Sequence, residues 1–158
     1  MRPSRDQVTV QRLIPAPASV IFDLLADPVR HQEIDGSGTV VKARSGAAGE
    51  RRLGLGDVFG MNMDWGVHYA TKNTVTEFEE DRLIAWTTGG GPPLSWVLGG
   101  RTWRYELEPH EDGTIVRETW DLGTEVLPSR PFVRRLAAMT RRNMSRTLER
   151  IEEIVTAQ

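Results

Sequence analysis

The C-terminal stretch of the chain, residues 128–158, reads PSRPFVRRLAAMTRRNMSRTLERIEEIVTAQ and contains no glycine. Apolar residues recur along it at helical spacing, and arginines take other positions; the apolar residues are Phe132, Leu136, Met139, Met144, Leu148, Ile151 and Val155. This pattern predicts one long amphipathic helix of about 40 Å. Because such a helix is too long to cap one edge of a small domain, we expect it to lie across a broad curved sheet and to enclose a cavity.

The residues before this helix predict one strand, two short helices and then about six more strands. Val8, Val10 and Leu13 indicate the first strand. A helix opens at Pro17 and ends at Asp27-Pro28, because the residue before a proline avoids helical geometry. A second short helix is expected at 29–34. The later strands are expected at 39–44, 57–64, 67–78, 82–88, 102–108 and 114–122, with a hairpin turn at Asp112-Gly113.

The composition is that of an ordinary globular domain. A length of 158 residues suits a single domain over 1–158, and a hydrophobic content of 39% with 27% charged residues is unremarkable in this class. The net charge of −2 gives no electrostatic reason to expect nucleic acid as a partner.

Several classes of site and location are excluded or disfavoured by the sequence. The absence of cysteine excludes disulfides, thiolate catalysis and cysteine-ligated metals. Asp64 and His68 are four residues apart on or beside strands, which does not make a two-ligand metal motif. We therefore predict no metal and no cofactor. No secretory signal or long apolar run is visible, so we expect a cytoplasmic protein without integral membrane association.

Two segments near the N-terminus and one near the last hairpin carry a family resemblance. Residues 14–27 read IPAPASVIFDLLAD, residues 31–38 read HQEIDGSG, and Asp112-Gly113-Thr114 with Val116 closes the hairpin. In their order along the chain, these segments resemble the SRPBCC superfamily of helix-grip proteins, which includes StAR-related lipid-transfer domains, birch-pollen-allergen-like proteins and bacterial polyketide cyclase/dehydrase-like proteins.

The resemblance implies an α+β helix-grip fold. A curved antiparallel sheet of about seven strands would wrap around the long C-terminal helix, with two short helices after the first strand. The motifs that carry the resemblance are fold motifs and none is catalytic, and a shared fold does not fix a shared function.

The expected cavity has many candidate lining residues with large apolar side chains. Most of the five tryptophans fall on or beside predicted strands, and ligand pockets are mostly apolar with few polar groups. The candidates for ligand binding are Met61, Met63, Trp65, Tyr69, Trp86, Trp103, Tyr105, Trp120 and Met144. The alternative for each of them is ordinary core packing.

Glu118 and His31 are the candidates for acid–base chemistry. Glu118 shares a strand face with Val116, Trp120 and Leu122, and a carboxyl group on an apolar face has a raised pKa. His31 lies where the short helices meet the cavity in relatives. The alternatives are a Glu118 at the open rim or on an outward face, and a His31 on a solvated surface.

Three functions remain open from the sequence. The first is binding of a small hydrophobic ligand, lipid- or polyketide-like, and the second is a cyclase or dehydratase that uses Glu118 or His31 in the same cavity. The third is a protein-interaction module of the toxin–antitoxin or quinone-chaperone type. Converging titratable groups would favour the enzyme, a single polar anchor would favour the carrier, and an exposed apolar patch would favour the interaction module.

Overall fold

The computed structural model describes residues 6–35, 40–43, 52–64, 68–90, 99–123, 131 and 134–157. Their element order is the one predicted: strand β1 (Gln7–Ile14), helix α1 (Ala18–Leu25), a 3₁₀ helix (Pro28–Arg30), helix α2 (His31–Ile34), strands β2 (Val40–Ala43), β3 (Val58–Asp64), β4 (His68–Glu79), β5 (Leu83–Gly90), β6 (Gly99–His110) and β7 (Gly113–Asp121), and helix α3 (Ala137–Thr156).

Within the described residues, the strands form one antiparallel sheet of seven strands in the order β1-β7-β6-β5-β4-β3-β2. Strands β2 to β7 each pair with their neighbours in the chain, whereas β1 crosses over to pair with β7 along its whole length, from Gln7↔Asp121 to Ile14↔Thr114. Irregularities in register interrupt three of the strand pairs, and such bulges bend a sheet. The predicted helix-grip architecture is confirmed.

The short helices close one end of this sheet. Helix α1 buries Ile21, Phe22, Leu24 and Leu25, and it ends just before the predicted break at Asp27-Pro28. The Asp27 side chain accepts a hydrogen bond from the Val29 backbone N–H at 3.0 Å, which caps the 3₁₀ helix. The chain is thereby turned so that α2 begins at His31.

Helix α3 buries one stripe of side chains and exposes the other. Met144, Leu148, Ile151 and Val155 are buried, together with Thr140 and Thr147, whereas Arg141, Arg142 and Arg146 are exposed. Leu148, Ile151 and Val155 join the large core cluster that includes α1. Met144 joins a second cluster with Val8, Trp120 and Leu122. The helix therefore spans both clusters on the inner face of the sheet.

The prediction of one unbroken helix over residues 128–158 is wrong in length. A turn at 135–136 precedes α3, which has 20 residues and is about 30 Å long. Leu136 at this turn packs against the cluster of Val8, Trp120 and Met144, so a tertiary contact determines where the regular helix begins, rather than the helical spacing alone. Residues 124–130 and Phe132 lie outside the described residues.

Candidate functional site

Three tryptophans lie side by side on the inner face of the sheet. Trp86 on β5 pairs with Trp103 on β6, and Trp103 pairs with Trp120 on β7. The Trp103 and Trp120 ring centroids are 6.2 Å apart. Trp86 and Trp120 are buried, whereas Trp103 is half-buried and packs against both core clusters. We call these three residues the tryptophan row.

A cluster of rings joins one end of this row to helix α2. The Trp86 ring stacks on the His31 ring with centroids 5.1 Å apart and lies 5.5 Å from the Tyr105 ring. Phe59 on β3 meets both Trp86 and His31 edge to face. Trp86 therefore contacts both His31 and Tyr105.

Glu118 lies one register row away from the tryptophan row, and the structure brings it together with Tyr105. The two residues are register partners on β7 and β6, and the Tyr105 hydroxyl donates a hydrogen bond of 2.8 Å to Glu118 Oε1. Glu118 is only 1% exposed, because it shares its face of β7 with the buried residues Val116 and Trp120. The carboxyl group is thus held in the apolar interior, on the face expected from the alternation of β7.

The surroundings of Glu118 keep its carboxyl group neutral. Burial raises the pKa of Glu118 to about 8; the hydrogen bond from Tyr105 acts in the opposite direction, and the negative charge of Asp35 adds to the rise. Burial also raises the pKa of the Tyr105 hydroxyl well above its ordinary value. Tyr105 therefore remains a donor to Oε1, and the acid proton of Glu118 is left on Oε2.

Two buried polar atoms on β7 have no hydrogen-bond partner in the described part of the chain: Glu118 Oε2 and Trp120 Nε1. Both side chains point to the inner face and are two residues apart, which separates their Cα atoms by about 7 Å. Buried polar atoms are usually hydrogen-bonded, so each of these exceptions calls for a physical reason.

His31 is buried rather than exposed on a solvated helix. Its Nε2 atom lies 2.8 Å from the Leu25 carbonyl oxygen, which can only accept, so this nitrogen carries the proton. Burial lowers the pKa of His31, and the hydrogen bond to Leu25 partly opposes that effect. The neutral ring therefore presents Nδ1 as a hydrogen-bond acceptor. The contacts that connect His31 with Glu118 pass through Trp86 and Tyr105.

A second polar group on the inner face escaped the sequence analysis. Asn73 on β4 accepts a hydrogen bond of 2.7 Å from the Thr88 hydroxyl and donates to the Phe59 carbonyl oxygen and the Thr71 hydroxyl, each at 3.3 Å. Asn73, Thr71 and Thr88 are all buried. The signal was present, because Thr71, Asn73 and Val75 alternate along one strand and so share its face. The tryptophan row thus has buried polar groups on both sides.

The remaining candidates fall into two groups. Met144 on α3 is buried in the same cluster as Trp120. Met61 and Met63 lie on β3 and Tyr69 on β4, where Met63 and Tyr69 are register partners; their side chains, and the whole of Trp65, are outside the described residues.

Neither a metal cluster nor a spanning helix occurs in the described ranges. No group of three or more His, Asp or Glu side chains among these residues is placed to hold a metal ion. None of the helices found there combines the length and the apolar character needed to cross a bilayer.

Comparison with known proteins identifies relatives for almost the whole chain. A family model described as polyketide cyclase / dehydrase and lipid transport matches residues 5–156. An uncharacterized protein of Mycobacterium tuberculosis is 36% identical over 110 residues. That match covers 68% of this chain and 44% of the relative, so the chain spans less than half the length of that relative.

Solved structures share the fold at lower identity. The crystal structure of protein Ms6760 from Mycobacterium smegmatis has a TM-score of 0.72 at 17% identity, covering 97% of this chain and 92% of that one. The solution structure of a polyketide-cyclase-like protein from Corynebacterium glutamicum has a TM-score of 0.59 at 21% identity, covering 99% of this chain and 94% of that one. At these identities the likeness concerns the fold alone.

Proposed function

The chain belongs to the polyketide cyclase / dehydrase and lipid transport family, within the SRPBCC superfamily, and from this premise we propose that it binds a small lipid- or polyketide-like ligand. The family and the fold indicate a role in binding a hydrophobic ligand. The proposed place is the inner face of the sheet, between the tryptophan row and helix α3.

The tryptophan row is the observation that supports this proposal most strongly. Aromatic side chains offer about 150–250 Å² each for burial, and three of them in adjacent register make one continuous apolar surface. The buried polar groups beside the row supply the few orienting contacts that ligand pockets use. The residues proposed to contact ligand are Trp86, Trp103, Tyr105, Trp120 and Met144, together with Met61, Met63, Trp65 and Tyr69.

Trp103→Leu tests this proposal, because Trp103 is the half-buried member of the row. Leucine keeps the position apolar and fills much of the space. We expect equilibrium dialysis to show one site per chain in the parent for at least one of decanoic acid, naringenin and 1,4-naphthoquinone. The variant should bind that compound about tenfold more weakly.

The matched control for this experiment is Thr119→Ala. Thr119 is the neighbour of Trp120 on β7, but it faces the other side of the sheet, where its hydroxyl meets that of Thr9 at 3.1 Å. This variant should bind as the parent does. If Trp103→Leu folds normally and also binds as the parent does, Trp103 is a core residue and not a ligand contact.

A second candidate function is proton transfer of the dehydratase kind, and the neutral state of Glu118 favours it. In such a reaction Glu118 Oε2 would give its proton to a leaving hydroxyl group, which departs as water. The electron pair for the new carbon–carbon double bond comes from the adjacent C–H bond, whose proton passes to a water molecule and returns through the solvent to Glu118. Glu118→Gln should abolish the loss of water from a β-hydroxy ketone, followed by mass spectrometry, while binding of that compound persists.

A further inference from the structure

We propose that the bound ligand is an uncharged molecule with two acceptor oxygens, one received by Glu118 Oε2 and the other by Trp120 Nε1. This inference rests on the proposed function and adds the chemical class of the ligand. It follows from the two buried polar atoms on β7 that have no partner in the described part of the chain.

Both of these atoms act as donors. The indole N–H of Trp120 can only donate. Glu118 Oε1 already accepts from the Tyr105 hydroxyl, so a neutral carboxyl group presents the O–H of Oε2 to the interior. A ligand that satisfies both must bring acceptors, and carbonyl oxygens are the acceptors that an apolar molecule most readily carries.

The placement of the two donors explains why one molecule would meet both. Glu118 and Trp120 alternate with Arg117 and Thr119 on β7, so they lie on the same face, about 7 Å apart at Cα. The ring of Trp103, the register partner of Trp120, lies in the same aromatic surface. A flat or extended ligand lying along β7 would therefore contact the tryptophan row and reach both donors.

The burial of Glu118 disfavours an anionic ligand. The negative charge of Asp35 adds to the rise in the Glu118 pKa, but Arg150 on α3 donates a hydrogen bond of 2.8 Å to the backbone carbonyl of Asp35, so its positive charge offsets that of Asp35. A carboxylate ligand would be desolvated beside a neutral acid that offers it no countercharge, and burial of an unpaired charge is strongly unfavourable. We therefore expect neutral carbonyl compounds to bind in preference to carboxylates.

A matched set of small probes tests the acceptor requirement. Naphthalene offers no acceptor oxygen, 1-tetralone offers one, 1,4-naphthoquinone offers two, and 1-naphthoate is an anion of similar size. The chain has no cysteine, so the quinone meets no thiol with which to form an adduct. In equilibrium dialysis at neutral pH, affinity should rise about tenfold with each acceptor, and 1-naphthoate should bind no better than naphthalene.

Three variants assign the effect to the two donors. Glu118→Leu and Trp120→Phe each remove one donor and keep the site apolar, so each should lower the affinity for 1,4-naphthoquinone about tenfold and change the affinity for naphthalene less than twofold. Glu118→Gln should keep the affinity for the quinone, because its amide oxygen accepts from Tyr105 and its N–H remains a donor. Thr119→Ala, on the other face of the sheet, is the control, and it should leave the affinities for quinone and naphthalene unchanged.

The outcomes separate this inference from the proposed function. If naphthalene binds as tightly as 1,4-naphthoquinone, or if the preference survives in both Glu118→Leu and Trp120→Phe, the inference is wrong and hydrophobic binding stands. If 1-naphthoate binds best, the ligand class is wrong. If none of the four probes binds but decanoic acid or naringenin does, the inference is wrong and hydrophobic binding stands; if none of these compounds binds, the proposed function fails as well. Thermal melts of all variants identify any that do not fold. Glu118→Gln, which keeps the hydrogen bond from Tyr105, is the folded reference for the variants at Glu118.

Discussion

Glu118 links the stability of this fold to pH, because its carboxyl group ionises at a different pH in the folded chain and in the unfolded chain. Its pKa rises from an ordinary 4.5 to about 8 on burial. Between these values the unfolded chain has released the proton while the folded chain still holds it. The contribution of Glu118 to the free energy of unfolding should therefore be greatest below pH 4.5 and fall by about 1.4 kcal/mol per pH unit as the pH approaches 8.

Glu118→Gln isolates this contribution, since the amide keeps the hydrogen bond from Tyr105 and cannot ionise. Urea unfolding of both proteins at several pH values measures the difference between their free energies of unfolding. We expect the parent to lose stability relative to the variant as the pH rises from 5 to 8. Parallel curves would show that Glu118 ionises in the folded chain as it does in water.

Gly113 is required by the close approach of the last hairpin to the end of β1. It has φ of +143°, and a Cβ added there would clash with the Ile14 carbonyl oxygen and lie 2.8 Å from Pro15 Cα. Gly113→Ala should therefore lower the free energy of unfolding by about 2 kcal/mol or more. Gly89→Ala is the control, because nothing lies within 4 Å of the added methyl group. Similar losses in chemical denaturation would refute the steric argument.

Helix α3 is held to the sheet by its buried stripe. Leu148 is 1% exposed in the cluster that includes α1 and β7, so Leu148→Ala should cost about 2–5 kcal/mol in the free energy of unfolding. Glu149 is the next residue along α3 and is exposed, so Glu149→Ala should change the free energy of unfolding by less than about 0.5 kcal/mol. A loss that small at Leu148 would mean that the helix does not grip the sheet.

The elements differ in how well the sequence predicted them, and the reasons are physical. The faces of β6 and β7 were predictable because Trp103, Tyr105 and Leu107 alternate with charged residues, and alternation maps directly onto the two faces of a strand. The start of α3 was not, because it depends on the packing of Leu136 against residues distant in sequence. The Asn73 group was missed because its importance lies in hydrogen bonds between β3, β4 and β5.

At the scale of the whole molecule, the pairing of the first strand with the last shapes the site. No local pattern predicts that β1 lies beside β7, and the family resemblance implied only a curved antiparallel sheet of about seven strands. The registers across β5, β6 and β7 were likewise beyond the sequence, and they convert three separate tryptophans into one row. The Glu118–Tyr105 hydrogen bond depends on the same register. The family resemblance therefore predicted the fold, whereas the site depends on strand registers that the sequence does not reveal.

The central claim is that a hydrophobic molecule lies against the tryptophan row on the inner face of the sheet. The most direct measurement is a titration of ¹⁵N-labelled protein with 1-tetralone, followed by NMR. We expect the indole N–H signals of Trp86, Trp103 and Trp120 to shift together and to saturate at one site per chain, while the amides of Thr9 and Thr119 on the outer face stay unchanged. Saturable binding that leaves all three indole signals in place would contradict the account.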